Sequence, residues 1–150
     1  DARFAFRSEA LTTTSVDPVA AYRPPNHARD DATVTPLRLL TLKRHYSINS
    51  SYGSLPVLLN AEPTQVCEIA PADARERGIA DGQRVTVRNE LGAIECVAVV
   101  TDAVPDGTVA VPFGRWRSDQ AGGGANSLTS DRLGDLANGP TFCDNLVEVG

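Results

Sequence analysis

Ile79-Ala80-Asp81-Gly82-Gln83-Arg84-Val85-Thr86-Val87 is echoed further along the chain by Val104-Pro105-Asp106-Gly107-Thr108-Val109-Ala110-Val111. Each copy runs from an apolar residue through an Asp-Gly pair into alternating, Val-rich sequence. Glycine adopts positive φ freely and Asp tolerates it better than most residues, so Asp-Gly predicts a tight turn. The β-branched residues that follow suit a pleated, half-buried surface. A turn-strand unit used twice within so short a span predicts a closed barrel of mostly β structure. Closure also removes exposed sheet edges.

The neighbouring segments extend this reading. Asn89-Glu90-Leu91-Gly92 reads as a hairpin turn into a strand over Ala93 to Thr101. There Ile94, Cys96, Ala98 and Val100 share one face while Val97 and Val99 lie opposite, so both faces are expected to be covered. Upstream, Val66-Cys67-Glu68-Ile69 alternates like a strand. Pro71 then suits the first turn of a helix that runs to Arg77 and stops at Gly78. Asp73 near the start and Arg77 at the end of that helix complement its dipole. Leu37 to Leu42 predicts the first core strand, followed by a polar loop from Lys43 to Gly53. Leu55 to Leu59 is a second apolar segment, interrupted by Pro56. Residues 1–36 differ in character: Phe4-Ala5-Phe6 suggests a short strand, and Tyr22-Arg23-Pro24-Pro25-Asn26 imposes extended backbone. We read 1–36 as a lead-in arm or linker and 37–150 as the folded domain.

Composition narrows the function classes. The 150 residues suit one domain, with 41% hydrophobic and 22% charged residues. Net charge is −5 and the basic residues are dispersed, so the basic face that a nucleic-acid partner requires is missing. No apolar run approaches the ~20 residues of a membrane-spanning helix, and membrane insertion is not expected. The sequence contains no methionine, which suggests a fragment of a longer protein. Cys67, Cys96 and Cys143 show no Cys-x-x-Cys or Cys/His spacing for zinc and are expected to be buried, reduced thiols.

Three stretches carry chemistry. In Gly122-Gly123-Gly124-Ala125-Asn126-Ser127-Leu128-Thr129, glycines allow backbone to approach a ligand closely. Asn126 then offers both a donor and an acceptor to the amide-like edge of a pterin or purine. The same stretch also reads as a glycine loop closed by an Asn cap. In the loop after the first strand, Lys43 or Arg44 suits a phosphate, and Asn49 and Ser50 suit a heterocycle or diphosphate. In Pro112-Phe113-Gly114-Arg115-Trp116-Arg117 the single Trp, flanked by arginines, suits a pocket wall, an inter-domain contact or a packing anchor. No catalytic set is apparent: His27 lies in the linker, His45 lacks a carboxylate or nucleophile at meaningful spacing, and there is no nucleophile elbow. Neither a phosphate-binding P-loop nor a dinucleotide fingerprint is present.

Taken in order, these segments resemble the C-terminal domain of the dimethyl-sulfoxide-reductase family of molybdopterin oxidoreductases, which includes formate dehydrogenases and periplasmic nitrate reductases. Leu40-Thr41-Leu42-Lys43 resembles the family's Leu-Thr-Gly-Arg opening, and Ile48-Asn49-Ser50 its Trp-Asn-Thr segment. Glu68 to Ala74 followed by Gly78 to Gly82 resembles Glu-Ile-Asn-Pro-x-Asp-Ala and Gly-Ile-x-Asp-Gly. Val104 to Val109 with Pro112-Phe113, and Gly124 to Thr129, are similar to Val-Pro-x-Gly-x-Val, Pro-Phe and Gly-Ala-Asn-x-Leu-Thr. Leu42 stands in place of Gly, Lys43 in place of Arg, Ile48 where an aromatic is common, and Cys143 where Lys is frequent.

The resemblance implies a six-stranded double-psi β-barrel with one or two short helices. It also implies contact with the pterin and diphosphate of a molybdopterin guanine dinucleotide. Asn126, Asn49, Ser50 and Lys43 are the expected contacts, with Thr41, Trp116 and Phe142 behind them. The parent would be an oxidoreductase working at molybdenum or tungsten, with the metal ligand in another domain. The expected partners are the remaining domains of the same catalytic subunit and an electron-transfer subunit. The resemblance assigns no catalytic or metal-binding residue to this segment, which alone would be inactive. The compartment stays open, with cytoplasm favoured over periplasm. The competing reading is a free-standing double-psi barrel that binds protein or peptide. A small hydrolase working from His45 and a serine is a weaker third.

Overall fold

Both Asp-Gly pairs turn the chain as expected, with φ of +77° at Gly82 and +76° at Gly107. The computed structural model describes residues 5–22, 36–46, 48–53, 55–62, 64–116, 123–134, 136 and 138–150. Six strands follow in chain order: β1 (Leu37–Leu42), β2 (Val66–Ile69), β3 (Arg84–Asn89), β4 (Gly92–Val100), β5 (Thr108–Pro112) and β6 (Leu146–Val149). Two short helices, α1 (Pro56–Ala61) and α2 (Pro71–Arg77), precede and follow β2.

The strands close into a barrel in the order β1-β5-β2-β4-β3-β6. Two pairs, β1 with β5 and β2 with β4, are parallel, and the others are antiparallel. Parallel neighbours need crossover connections, and this order is compatible with the double-psi arrangement that the resemblance implies. Alternation along the strands fills the interior. Leu37, Leu39, Cys67, Ile69, Val85, Val87, Ile94, Cys96, Ala98, Val109, Val111, Val147 and Val149 form one buried cluster. Each Val or Leu so buried stabilises the fold by roughly 1.5–3 kcal/mol. β5 is covered on both faces, since Ala110, opposite in direction to Val109 and Val111, packs with Ala70 and Val104 in a second cluster. β4 buries Ile94, Cys96 and Ala98 and half-buries Val97, Val99 and Val100, close to the two-sided cover expected of it.

α2 starts with Pro71 in its first turn and ends at Gly78, whose φ of +66° is the left-handed stop predicted for it. Arg77 reaches back one turn to Asp73, 3.5 Å between charged groups, and also donates to the Asp73 carbonyl. The hairpin turn is as read, with Asn89 paired to Gly92 across it. Pro56, read from sequence as an interruption, instead opens α1, where its missing N–H would be unpaired anyway. Cys67 and Cys96 are buried thiols, but Cys143 is exposed, lying in a turn just before β6. Before the barrel, a 3-10 turn spans Glu9–Thr13 and Arg7 bridges Val19. Ala5 and Phe6 are not in a strand. Phe4, Arg23 to Asn26, His27, Arg117 and Gly122 lie outside the described residues.

Candidate functional site

Parallel pairing of β1 and β5, with Thr41 opposite Val111 and Leu42 opposite Pro112, sets their C-terminal ends side by side. The Phe113 N–H still donates to the Leu42 carbonyl at 2.9 Å, so the two following loops leave the barrel together. They touch at once. A Cβ on Gly114 would lie 2.3 Å from the Asn49 carbonyl oxygen, and the φ of +98° there is itself a glycine conformation. Only glycine lets the Asn49–Ser50 loop rest on the backbone after β5. Gly53 packs beside the Gly114 carbonyl and the Trp116 ring.

A third wall comes from the glycine-rich stretch. Gly123 has φ of +100°, and Ala125–Leu128 forms a single 3-10 turn with Ala125 and Leu128 buried. Its cap is Gly124, with no side-chain cap bond, so the reading of Asn126 as an Asn cap does not hold. Close backbone approach fixes this turn on both sides: a Cβ on Gly124 would sit 3.2 Å from the Arg115 carbonyl, and one on Gly92 2.8 Å from the Ser127 carbonyl. Asn89 secures it further. Its amide donates to the Leu128 carbonyl at 2.8 Å and to Leu146, while its oxygen accepts from the backbone of Leu91 and Gly92.

These walls enclose a groove of about 940 Å³, within the roughly 300–1,000 Å³ typical of ligand pockets. Thr41, Asn49, Ser50, Trp116, Asn126 and Phe142 all line it, together with Phe113, Gly114, Arg115, Thr129, Ser130 and Asp131. Six of the seven residues singled out from sequence thus meet in one place, from four separate segments. Lys43, the seventh, is exposed and not in the lining. Arg44, the alternative phosphate candidate, is buried and paired with Glu62 at 2.6 Å. His45 is exposed and stacks edge-on against Tyr46.

The donor set is neutral amide and hydroxyl, bounded by aromatic faces. Among the described residues, the side chains of Asn49, Ser50 and Asn126 make no hydrogen bond within the protein. Trp116 and Phe142 are 52% and 46% exposed, large apolar surfaces left open at the rim. Among the described residues, charge enters at two points, Arg115 and Asp131. The Arg115 guanidinium donates to the carbonyls of Glu62 and Thr64, the latter at 3.2 Å, and the Glu62 carbonyl also accepts from Arg44. The sequence reading missed the part that Gly114 and Asp131 play. Gly114 stands out in sequence only as a neighbour of Trp116, and Asp131 lies two residues beyond the Gly-Ala-Asn-x-Leu-Thr stretch. Such close amide and hydroxyl donors, glycine backbone and aromatic walls fit a polar heterocycle bearing phosphate. Among the described residues there is no cluster of three metal-ligating side chains. Nor is any described helix long and apolar enough to cross a membrane.

Comparison with known proteins gives three consistent findings. A model of the Molydopterin dinucleotide binding domain matches residues 37–146. The chain is 34% identical over 141 residues to dimethyl sulfoxide reductase DmsA of Escherichia coli, covering 89% of this chain and 17% of that protein. It is 36% identical over 143 residues to the probable dimethyl sulfoxide reductase chain YnfF of the same organism, covering 89% and 18%. Among solved structures, acetylene hydratase from Pelobacter acetylenicus superposes with a TM-score of 0.79 over 96% of this chain and 23% of its own, at 24% identity. The last likeness is one of fold. The chain therefore spans less than a fifth of the length of these two reductase relatives.

Proposed function

The chain belongs to the molybdopterin dinucleotide-binding domains of the dimethyl-sulfoxide-reductase family, and from that premise we propose that its groove holds the pterin and diphosphate of molybdopterin guanine dinucleotide. One observation supports this most strongly. Thr41, Asn49, Ser50 and Asn126, from three separate segments, converge on one groove, and among the described residues their side chains make no hydrogen bond within the protein. Asn49, Ser50 and Asn126 are exposed and open to a ligand, whereas the more buried Asn89 and Asn145 are engaged with backbone.

In this reading Asn126 pairs with the heterocycle, Asn49 and Ser50 with heterocycle or diphosphate, and Trp116 and Phe142 shield the edges from water. Lys43 acts on phosphate from outside the lining. When bound, the cofactor's molybdenum or tungsten centre supplies electron transfer and often oxygen-atom transfer, and the metal ligand comes from another domain. Residues 37–150 form one wall of the cofactor site, 1–36 lead in from a preceding domain, and the parent is an oxidoreductase. Its remaining domains complete the site, and an electron-transfer subunit serves it.

The test is cofactor retention in the polypeptide at the full length its gene encodes. Asn126→Ala is expected to lower pterin and guanine content at limiting cofactor by about ten- to a hundredfold in affinity, the effect of roughly 1–3 kcal/mol from unpaired ligand groups. The melting temperature of the cofactor-free form should not change. Asn60→Ala, on the exposed face of α1, should alter neither. Full cofactor content in purified Asn126→Ala would refute the groove as the binding site.

A further inference from the structure

Asp131 is the one carboxylate in the groove lining among the described residues. Among the described residues its side chain takes no hydrogen bond and no ion pair, yet its backbone is held on both sides. The Ser130 N–H donates at 2.8 Å to the side chain of Asn145, which is buried and whose amide in turn donates to the Phe142 carbonyl. The Arg132 carbonyl accepts from both the backbone N–H and the hydroxyl of Thr141, at 3.1 and 2.8 Å. Asp131 is exposed, and a backbone fixed at either flank holds its carboxylate at one place on the groove wall, where it can serve as an acceptor.

Its charge limits what it can face. The reading above gives the groove a ligand with a diphosphate, and a carboxylate against phosphate oxygens is repulsive. Arg115, the other charged residue of the lining among the described residues, lies on the loop after β5. Two walls of opposite sign orient such a ligand, phosphates toward the arginine and N–H donors toward the carboxylate. Pterin and guanine share one group that fits a carboxylate: a ring N–H beside an exocyclic amino group. Its two parallel donors match two carboxylate oxygens, as a guanidinium does.

We propose that Asp131 recognises the 2-aminopyrimidinone edge of the cofactor, accepting both of its N–H groups, and so sets which heterocycle the groove admits. This rests on the groove being the cofactor site, as proposed above.

The experiment uses the full-length protein prepared free of cofactor, with two matched probe pairs measured by calorimetry. One pair is 6-hydroxymethylpterin against 6-hydroxymethyllumazine, in which oxygen replaces the 2-amino group. The other is GDP against IDP, which lacks that group. Wild type should prefer the amino member of one pair by roughly tenfold, the effect expected of one charge-assisted hydrogen bond. The pair that discriminates tells whether pterin or guanine meets Asp131. In Asp131→Asn, which keeps the shape and one acceptor, that preference should fall to within about twofold, with an unchanged melting temperature. The proposal is overturned if wild type shows no preference or binds none of the probes, or if the preference survives in Asp131→Asn. The two readings fail separately. Unchanged cofactor content in Asn126→Ala removes the groove itself, whereas loss there with an intact preference in Asp131→Asn removes only the role of Asp131.

Discussion

The two ends of the barrel use polar side chains in opposite ways. At the end where β1 and β5 begin, polar groups are consumed by the fold. The Gly107 N–H donates to the Asp73 carboxylate at 2.7 Å, the Val100 N–H to Asp81 at 2.9 Å, and the Ala80 N–H to the Gln83 side chain at 2.9 Å. At the end where β1 and β5 finish, a supporting set does the same work: Asn89, Asn145, Arg44, Arg115 and Gln65 bind backbone carbonyls or amides. A second set, Asn49, Ser50, Asn126 and Asp131, stands in front of it without partners among the described residues. One end is closed on itself, and the other presents exposed polar side chains to the groove.

Glycine substitutions at the two ends should give the largest contrast. Gly78 and Gly114 both have positive φ, +66° and +98°. Nothing lies within 4 Å of a Cβ on Gly78, whereas one on Gly114 would meet the Asn49 oxygen at 2.3 Å. Gly78→Ala should lower stability by about 1 kcal/mol, from left-handed strain alone. Gly114→Ala adds a clash that moves a whole wall of the groove, and a loss of roughly 2–4 kcal/mol is expected. Thermal unfolding of the cofactor-free full-length protein reads the first quantity, and cofactor content separates the two further. Gly78→Ala should keep its cofactor and Gly114→Ala should not. Equal losses at both positions would erase the distinction between the ends.

Next in size is Asp73→Ala, which leaves the Gly107 N–H without its buried acceptor and removes one partner of Arg77. A loss of about 1–3 kcal/mol in unfolding free energy is expected. Cofactor content at saturating supply should be unaltered, because the damage is confined to the closed end. Depleted cofactor in a variant that is folded at the assay temperature would mean that the two ends are coupled.

The closed end was also the more legible in sequence, for a physical reason. Asp81-Gly82, Asp106-Gly107, Pro71 and Gly78 act on their own neighbours, so their meaning is local and each was read correctly. The Val-rich alternation of β3, β4 and β5 was equally plain. Pro56 shows the limit, since an apolar run with a proline reads as broken until that proline is seen to occupy a first helical turn. The groove end depends on long-range contact. Nothing near Gly114 in sequence announces that the Asn49 carbonyl rests on it, and Arg44 is buried only because Glu62 returns from the end of α1. Resemblance to a family supplied what local chemistry did not, bringing Asn49, Ser50 and Asn126 together as candidates. It offered no special signal at Asp131, whose proposed role rests on a carboxylate without a partner among the described residues and on its pinned flanks.

A smaller effect appears at high pH and belongs to neither end. Cys67 and Cys96 are buried inside the barrel, and burial disfavours their thiolates, pushing the Cys96 thiol from 9.0 up to about 12 and Cys67 upward as well. In the unfolded chain these thiols ionise first, so the unfolded state binds fewer protons above pH 9.0. Their contribution to stability is thus complete below pH 9.0 and declines as pH rises toward about 12. Cys96→Ala should flatten that alkaline decline in melting temperature, at some general loss of packing. At pH 8 a thiol reagent should label exposed Cys143 and spare the other two until the protein unfolds. Rapid labelling of Cys96 in the folded protein would show that the barrel interior is open to solvent.

The smallest effect is expected at Lys43, which sharpens the comparison within the groove end itself. Lys43 leaves β1 at the same end as Asn49 and Ser50, but its side chain is exposed and outside the groove lining. A lysine in that position acts on a bound diphosphate through solvent, so its attraction is screened over a Debye length of about 8–10 Å at moderate salt. Asn126, within the lining, acts through hydrogen bonds that salt scarcely touches. Lys43→Ala should therefore weaken cofactor retention by about two- to threefold at low ionic strength and have almost no effect near 1 M salt, where screening falls to about 3 Å. Asn126→Ala should weaken it far more, and to the same degree at both salt concentrations. Measured together in the full-length protein, the two variants separate charge from contact. A tenfold, salt-independent loss in Lys43→Ala would mean that the lysine folds over the rim to touch phosphate directly, and that the groove has a further wall.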